Sequence, residues 1–143
     1  MKTLNQVRNI IKGFFEGHAL VNSVHTLQDF DFAAERNLEY KVVNIEYIDT
    51  SNNTNVFTHN FTITIADRTL QDSPVMEDDV VSDSIEIAED FITWMERTQF
   101  KFGITTNNLK PFYDTNGDRV AGIVFNVGID VIRKKNYCDV PSK

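Results

Sequence analysis

From residue 56 to 65 apolar and polar side chains alternate at nearly every step. Phe57, His59, Phe61, Ile63 and Ile65 fall on one face, and Val56, Thr58, Asn60, Thr62 and Thr64 on the other. Period two of this quality predicts a strand with one face buried and one wet. "LEYKVVNIEYI", residues 38 to 48, predicts the strand before it, with turn material in "SNN" at 51 to 53. A third alternation runs through Ala121, Ile123, Phe125, Val127, Ile129 and Val131, and its incoming partner carries Phe100, Phe102 and Ile104. Two helices interrupt the strands. Thr3 and Gln6 have the spacing of a capping box. Leu4, Val7, Ile11 and Phe14 follow at helical spacing, Ile10 and Phe15 widen the stripe, and Gly17 is a C-terminal stop. A second helix is expected from Asp83, with Glu86 in the capping-box position. Its inward stripe is Ile85, Ala88, Phe91, Ile92 and Met95, broadened by Ile87 and Trp94. "RTLQDSPVMEDDVVSD" before it reads as a long acidic loop. Residues 18–37 read as irregular, with at most a short strand from Val21 to Thr26, and 134–143 as a polar tail.

The order of elements is helix, two or three strands, helix, two strands. It predicts one α+β domain over residues 1–143: a two-layer fold with an antiparallel sheet of about four strands, long β-hairpins, and both helices on the apolar face.

"DTNGDR" at 114 to 119 resembles half of a calcium loop, because Asp114, Asn116 and Asp118 alternate. An EF-hand needs Gly at its sixth position and a bidentate Glu at its twelfth. Counting from Asp114, those positions hold Arg119 and Phe125. Asn116-Gly117 between two β-rich runs instead signals a hairpin with a type I′ turn. Asp114 and Asp118 then flank a solvated turn and need no ion. His18 and His25 lack a third ligand candidate nearby, so no metal is expected. The lone Cys138 allows no internal disulfide. The sequence has no phosphate-cradling glycine loop, HExxH, CxxC or nucleophile elbow. The carboxylates form a run without an apolar pocket around any pair. No enzymatic activity and no cofactor are therefore expected.

Charge sharpens this reading. The net charge is −7, which opposes general nucleic-acid binding, since that affinity comes largely from cations on phosphates. Between Arg68 and Arg97 there is no lysine or arginine, while Asp72, Glu77, Asp78, Asp79, Asp83, Glu86 and Asp90 stand there together with Glu89 and Glu96. A solvated helix face plus an acidic loop is the plain reading. The sharper one is a surface kept negative so that an anion does not adhere. No apolar run reaches the ~20 residues of a membrane span, and Arg8 and Lys12 interrupt any signal-peptide core. The expected place of synthesis is a cytoplasm.

The order of elements resembles that of the tail terminator (tail completion) proteins of tailed bacteriophages. The stretch "NVFTHNFTITIADRTLQDSPVMEDDVVSDSIEIAEDFITWM" carries the likeness, with its threonine-rich strand ending in Ala66-Asp67, its acidic segment and its "DSIEIAEDFI" helix. The likeness spans roughly residues 3 to 132, and residues 18–37 and the tail fall outside it. It implies a virion structural protein of the tail and neck, assembled in the host cytoplasm. Such a protein forms a homo-oligomeric ring, commonly a hexamer, with a dodecamer as the variant, and docks to tail tube and neck or connector proteins. DNA passes through the ring without specific binding, and the acidic window is the candidate channel-lining or partner-facing surface. Another neck adaptor or connector ring is the nearest alternative. A small acidic inhibitor mimicking DNA is a further one, but it would need carboxylates spread over a whole face.

Strand and helix geometry add an independent expectation. A hairpin over 100 to 132 outruns two helices of about 15 residues, at ~3.3 Å against 1.5 Å per residue. Its surplus apolar positions, Phe112 and Tyr113 near the tip, then need a neighbouring subunit. Phe112, Tyr113, Asp114, Asn116, Gly117 and Asp118 are the candidate inter-subunit hairpin.

Overall fold

The computed structural model describes residues 3–28, 40–69, 74–97, 103–114, 120–132 and 141. In chain order the elements are α1 (Leu4–Glu16), β1 (Ser23–His25), β2 (Val42–Asn52), β3 (Val56–Arg68), α2 (Pro74–Arg97), β4 (Gly103–Thr106), β5 (Lys110–Asp114) and β6 (Val120–Ile132). They form a two-layer α+β fold. The mixed, mostly antiparallel sheet runs β1-β2-β3-β6-β4, with β5 also on β6 and β1 parallel to β2.

Among the described residues the sheet has six strands against an expectation of about four, and local causes explain both additions. The incoming arm of the last hairpin is split. Thr106 lies opposite Val127 but Lys110 opposite Val124, so the arm carries one extra residue across the break. Asn107 closes the gap: its N–H donates to the Asn126 carbonyl (3.2 Å), and its side-chain oxygen accepts from the Asn126 N–H (2.7 Å). β1 is the short strand anticipated near Val21 to Thr26. Asn44 extends its ladder by imitating a peptide group. The Leu27 N–H donates to Asn44 Oδ1 (2.9 Å) and Asn44 Nδ2 donates to the Leu27 carbonyl (3.2 Å). Because Asn44 is 1% exposed, Asn44→Ala strands both Leu27 groups. The expected loss is about 1–2 kcal/mol, read as a lower urea midpoint and faster exchange of the Leu27 amide.

The turn chemistry is redistributed as well. Asn53 and Val56 exchange both backbone hydrogen bonds (2.9 and 3.3 Å) around Thr54-Asn55, so the tight two-residue hairpin joins β2 to β3. β2 continues to Asn52, past the expected turn at 51. The Asn116-Gly117 turn lies outside the described residues. The flanking register sets Asp114 opposite Val120, one position away from the Asp114–Arg119 pairing that a two-residue turn there sets.

The capping box at Thr3 forms in both directions, and α1 ends before Gly17. α2 departs most from expectation. It begins at Pro74, nine residues before Asp83, so most of the expected acidic loop is helix and Asp83 sits in its third turn. Proline is tolerated in the first turn, where its missing N–H has no helical partner to lose.

α1 and α2 cover one face of the sheet. Val7, Ile11 and Phe15 meet Val43, Ile45, Phe61, Ile63 and Ile65, with Ile87, Ala88, Phe91 and Met95 beside them over β6. Ile87 lies at the centre of the α2 stripe, and Ile85 and Ile92 lie at its partly buried margin. The length argument for a surplus of apolar area is reduced by α2, which is longer than expected. Its 24 residues span about 36 Å against about 43 Å for the 13 of β6. Ala121, Ile123, Phe125, Val127, Ile129 and Val131 are all at most 4% exposed within one copy.

Candidate functional site

Among the described residues the sheet's second face carries no helix. Across the β3–β6 ladder its rungs are polar: the Thr58 hydroxyl donates to Asp130 Oδ1 (2.6 Å) and the Thr62 hydroxyl to Asn126 Oδ1 (2.8 Å). Toward β2, Asn60 Nδ2 donates to Asp49 Oδ1 (2.7 Å), beside a bulge that places the half-exposed Ile48 between Tyr47 and Asp49. Gly128 floors a shallow depression of about 340 Å³ lined by Thr58, Asn60, Thr105, Asn126 and Asp130. Each rung is a cross-strand pair of the kind that sets register.

At one end this face turns apolar. Val42, Ala66 and Val120 are buried there, with Tyr40 and Phe112 packed on them. Phe112 lies opposite Gly122, the residue paired with Ala66. The Arg68 guanidinium stands 4.8 Å from the Tyr40 ring centre. Of the candidate hairpin residues, Phe112 is thus partly covered by its own chain. Tyr113 is 49% exposed. Asp114 pairs with Val120, and Asn116, Gly117 and Asp118 lie outside the described residues.

The acidic window becomes a ridge on α2. Asp79, Asp83, Glu86 and Asp90 recur at steps of four, three and four and are all exposed; Asp78 is exposed beside them, Glu77 is partly buried, and Asp72 lies outside the described residues. Two members are engaged: Lys41 Nζ is 3.5 Å from Asp83, and His18 Nε2 is 2.9 Å from Asp90. The ridge lies on the helical layer and the Phe112 patch on the opposite sheet face, so the described members of the two candidate sets do not converge.

The His18–Asp90 contact looks like a catalytic pair, but its hydrogen bonds say otherwise. The Leu20 N–H donates to His18 Nδ1 (3.2 Å), which makes Nδ1 an acceptor and Nε2–H the donor to Asp90. The ring's lone pair is therefore already in use, and a general base needs it free for the substrate proton. This pair acts as a clasp between α2 and the segment after α1. Among the described residues no three histidine, cysteine, aspartate or glutamate side chains gather as a metal site. No helix there is long and apolar enough to cross a membrane.

His59 is 7% exposed. Its Nδ1 shares a hydrogen bond of 2.8 Å with Thr50 Oγ1, which also meets the Tyr47 hydroxyl. Burial lowers its pKa below the ordinary 6.5, because the charged form loses hydration. The folded state thus binds fewer protons than the unfolded one between the lowered value and 6.5. The stabilisation from the neutral ring is complete above 6.5 and is lost as pH falls through that window. Urea midpoints should decline as pH falls below the ordinary 6.5, and His59→Phe should flatten that decline. An identical slope in the variant would contradict the assignment.

Between α1 and α2 lies an apolar groove walled by Ile10, Phe14 and Trp94 and floored at Gly13. Sequence reasoning passed over it. The available signal was a glycine inside an otherwise regular helix. No protein-family model matches this chain, and no curated protein matches it with significant similarity.

Proposed function

We propose that this chain is a structural ring subunit of a phage-like virion, placed at the head–tail junction, where it terminates or completes the tail and leaves a passage for DNA. The reading rests on the resemblance in element order and on one observation of the fold: among the described residues no helix lies on its second sheet face. That face pairs a polar ladder over β3 and β6 with an apolar end built from Val42, Ala66, Val120 and Phe112. A subunit that works by assembling needs such a surface, and the core face does not supply it. The edge strand β5 bears Lys110 and Pro111, residues that discourage strand addition, so neighbours meet through faces. The α2 ridge is the surface turned to passing DNA, where like charge prevents adhesion. A neck adaptor ring has the same physical requirements and differs in the protein it touches.

Light scattering on the purified chain should give the mass of a ring, a hexamer first, with annular particles in negative stain. A strictly monomeric mass at high concentration, with tail and neck proteins present, would rule the assignment out. In a lysate lacking the protein, tails of uncontrolled length or unjoined heads are the expected images. Finished particles would exclude it.

A further inference from the structure

The second face of the sheet is bipolar. Near the β2–β3 turn it carries Asp130, whose Oδ1 accepts from the Thr58 hydroxyl (2.6 Å). Among the described residues Oδ2 has no hydrogen-bond partner. A Cβ at Gly103 of β4 would come within 3.0 Å of that oxygen, so the glycine leaves the carboxylate open on its β4 side. Asp49 of β2, exposed and bonded to Asn60, adds a second negative charge at this end. Toward the other end stands Lys110 of β5, exposed and opposite Val124. It shares a face with Phe112, two residues on. Among the described residues no carboxylate pairs with it. From the level of Val124 to Asp130 is six residues along β6, about 20 Å at ~3.4 Å per residue. The two charges therefore do not meet within one chain.

They meet when a second copy is turned end for end. Two sheets packed face to face keep their strand directions nearly aligned. A two-fold axis between them, running across the strands at the level of Val127, sets the level of residue 124 over 130, 122 over 132 and 126 over 128. Lys110 then enters the space that Gly103 leaves beside the partner's Asp130. Phe112 comes to Ile132, which is 57% exposed. The exposed Asn126 comes to the hollow that Gly128 floors. Charge, apolar area and shape are matched by one axis. We propose that two copies of this chain pair through their second sheet faces about this axis, with Lys110–Asp130 ion pairs in both directions. The inference rests on the reading that copies meet on this face, and it fixes the symmetry of the contact. An isologous contact joins the subunits of two stacked rings, as in the dodecameric variant, while closure of each ring uses heterologous contacts elsewhere.

Carbodiimide coupling tests this on the full-length wild-type chain. Unlabelled and isotope-labelled protein are refolded together from urea, treated, digested and read by mass spectrometry. The expected product is an amide between Lys110 Nζ and the Asp130 carboxyl that joins a labelled to an unlabelled peptide, the carbodiimide taking up the water lost. Lys41 and Asp83, 3.5 Å apart within one chain, give the control link. Control links without a Lys110–Asp130 link overturn the proposal, as does a Lys110–Asp130 link that never joins the two isotopes. Lys110→Glu and Asp130→Lys should each weaken self-association about tenfold, because the contact holds the pair twice. Mixed with each other, the two variants should associate as the wild type does, since each reversed charge meets its opposite. Raised salt should weaken the wild-type contact. Folded variants that associate alone as the wild type does, or that stay apart when mixed, overturn it, and the coupling experiment needs neither variant. Light scattering keeps the two readings apart. A dimer carrying the link supports the pairing and counts against the ring, a ring without the link refutes the pairing alone, and a monomer without it refutes both.

Discussion

Gly122→Ala should cost about 3 kcal/mol or more, a large share of the stability of a domain this size. Gly122 is buried on β6, opposite Ala66 of β3 and Phe112 of β5. A Cβ there would collide with the Ile65 carbonyl oxygen and stand 2.8 Å from the Ala66 Cα. Both obstacles are backbone of a central strand, so no side-chain rotation gives relief. β3 and β6 would have to part at that rung, and their ladder runs from Val56–Ile132 to Arg68–Val120. The damage would spread to the Val42–Ala66–Val120 patch that Phe112 covers. Urea unfolding followed by circular dichroism reads the effect. Gly128→Ala is the comparison. It also faces the second side of β6, but its nearest contacts are the side chains of Thr58 and Asn60 at 3.0 and 3.1 Å, which can shift. The smaller loss belongs to Gly128→Ala. Equal losses would show that the crowding at Gly122 is not what matters.

The second large effect is at Phe91. Its ring stacks on Phe15 with centroids 5.0 Å apart, lies 5.6 Å from Phe14, and lies 6.4 Å from Phe125 of β6. One side chain thus ties α1, α2 and the sheet together, fully buried. Phe91→Ala removes the transfer free energy of the ring and leaves a cavity that three elements cannot all close, for an expected loss of about 3–5 kcal/mol. Phe14→Ala, at the margin of the same cluster, should lose less and should disturb the emission of Trp94, which Phe14 touches. If Phe91→Ala unfolds no earlier than Phe14→Ala, the hub lies elsewhere.

Much of this architecture is legible in the residues because it depends on local periodicity. The alternation around Phe61, the capping box at Thr3 and the stop at Gly17 each involve side chains a few positions apart, and each appears where expected. The start of α2 at Pro74 departs from the expectation for the same local reasons. Proline, serine and paired aspartates suit turns, and β-branched Val80 and Val81 are weak helix formers. Burial of Val80 and Ser84 under a helix already anchored by Phe91 outweighs those preferences. The split of the last hairpin's first arm was equally hidden, because one inserted residue leaves the alternation of either half intact.

For the candidate sites the division is sharper. Composition and spacing are enough to establish an acidic stretch free of lysine and arginine, a strand with a threonine and asparagine face, and the lack of a recognised catalytic motif. These are properties of neighbours in the chain. That the acids align as a ridge, that Asp90 is clasped by His18 from 72 residues away, that Phe112 folds back onto Ala66, and that Gly13 floors a groove beside Trp94 all follow from the packing of α1 against α2 and of β5 against β6. Long-range contacts of this kind depend on which surfaces exclude water together, and no periodicity along the chain encodes them.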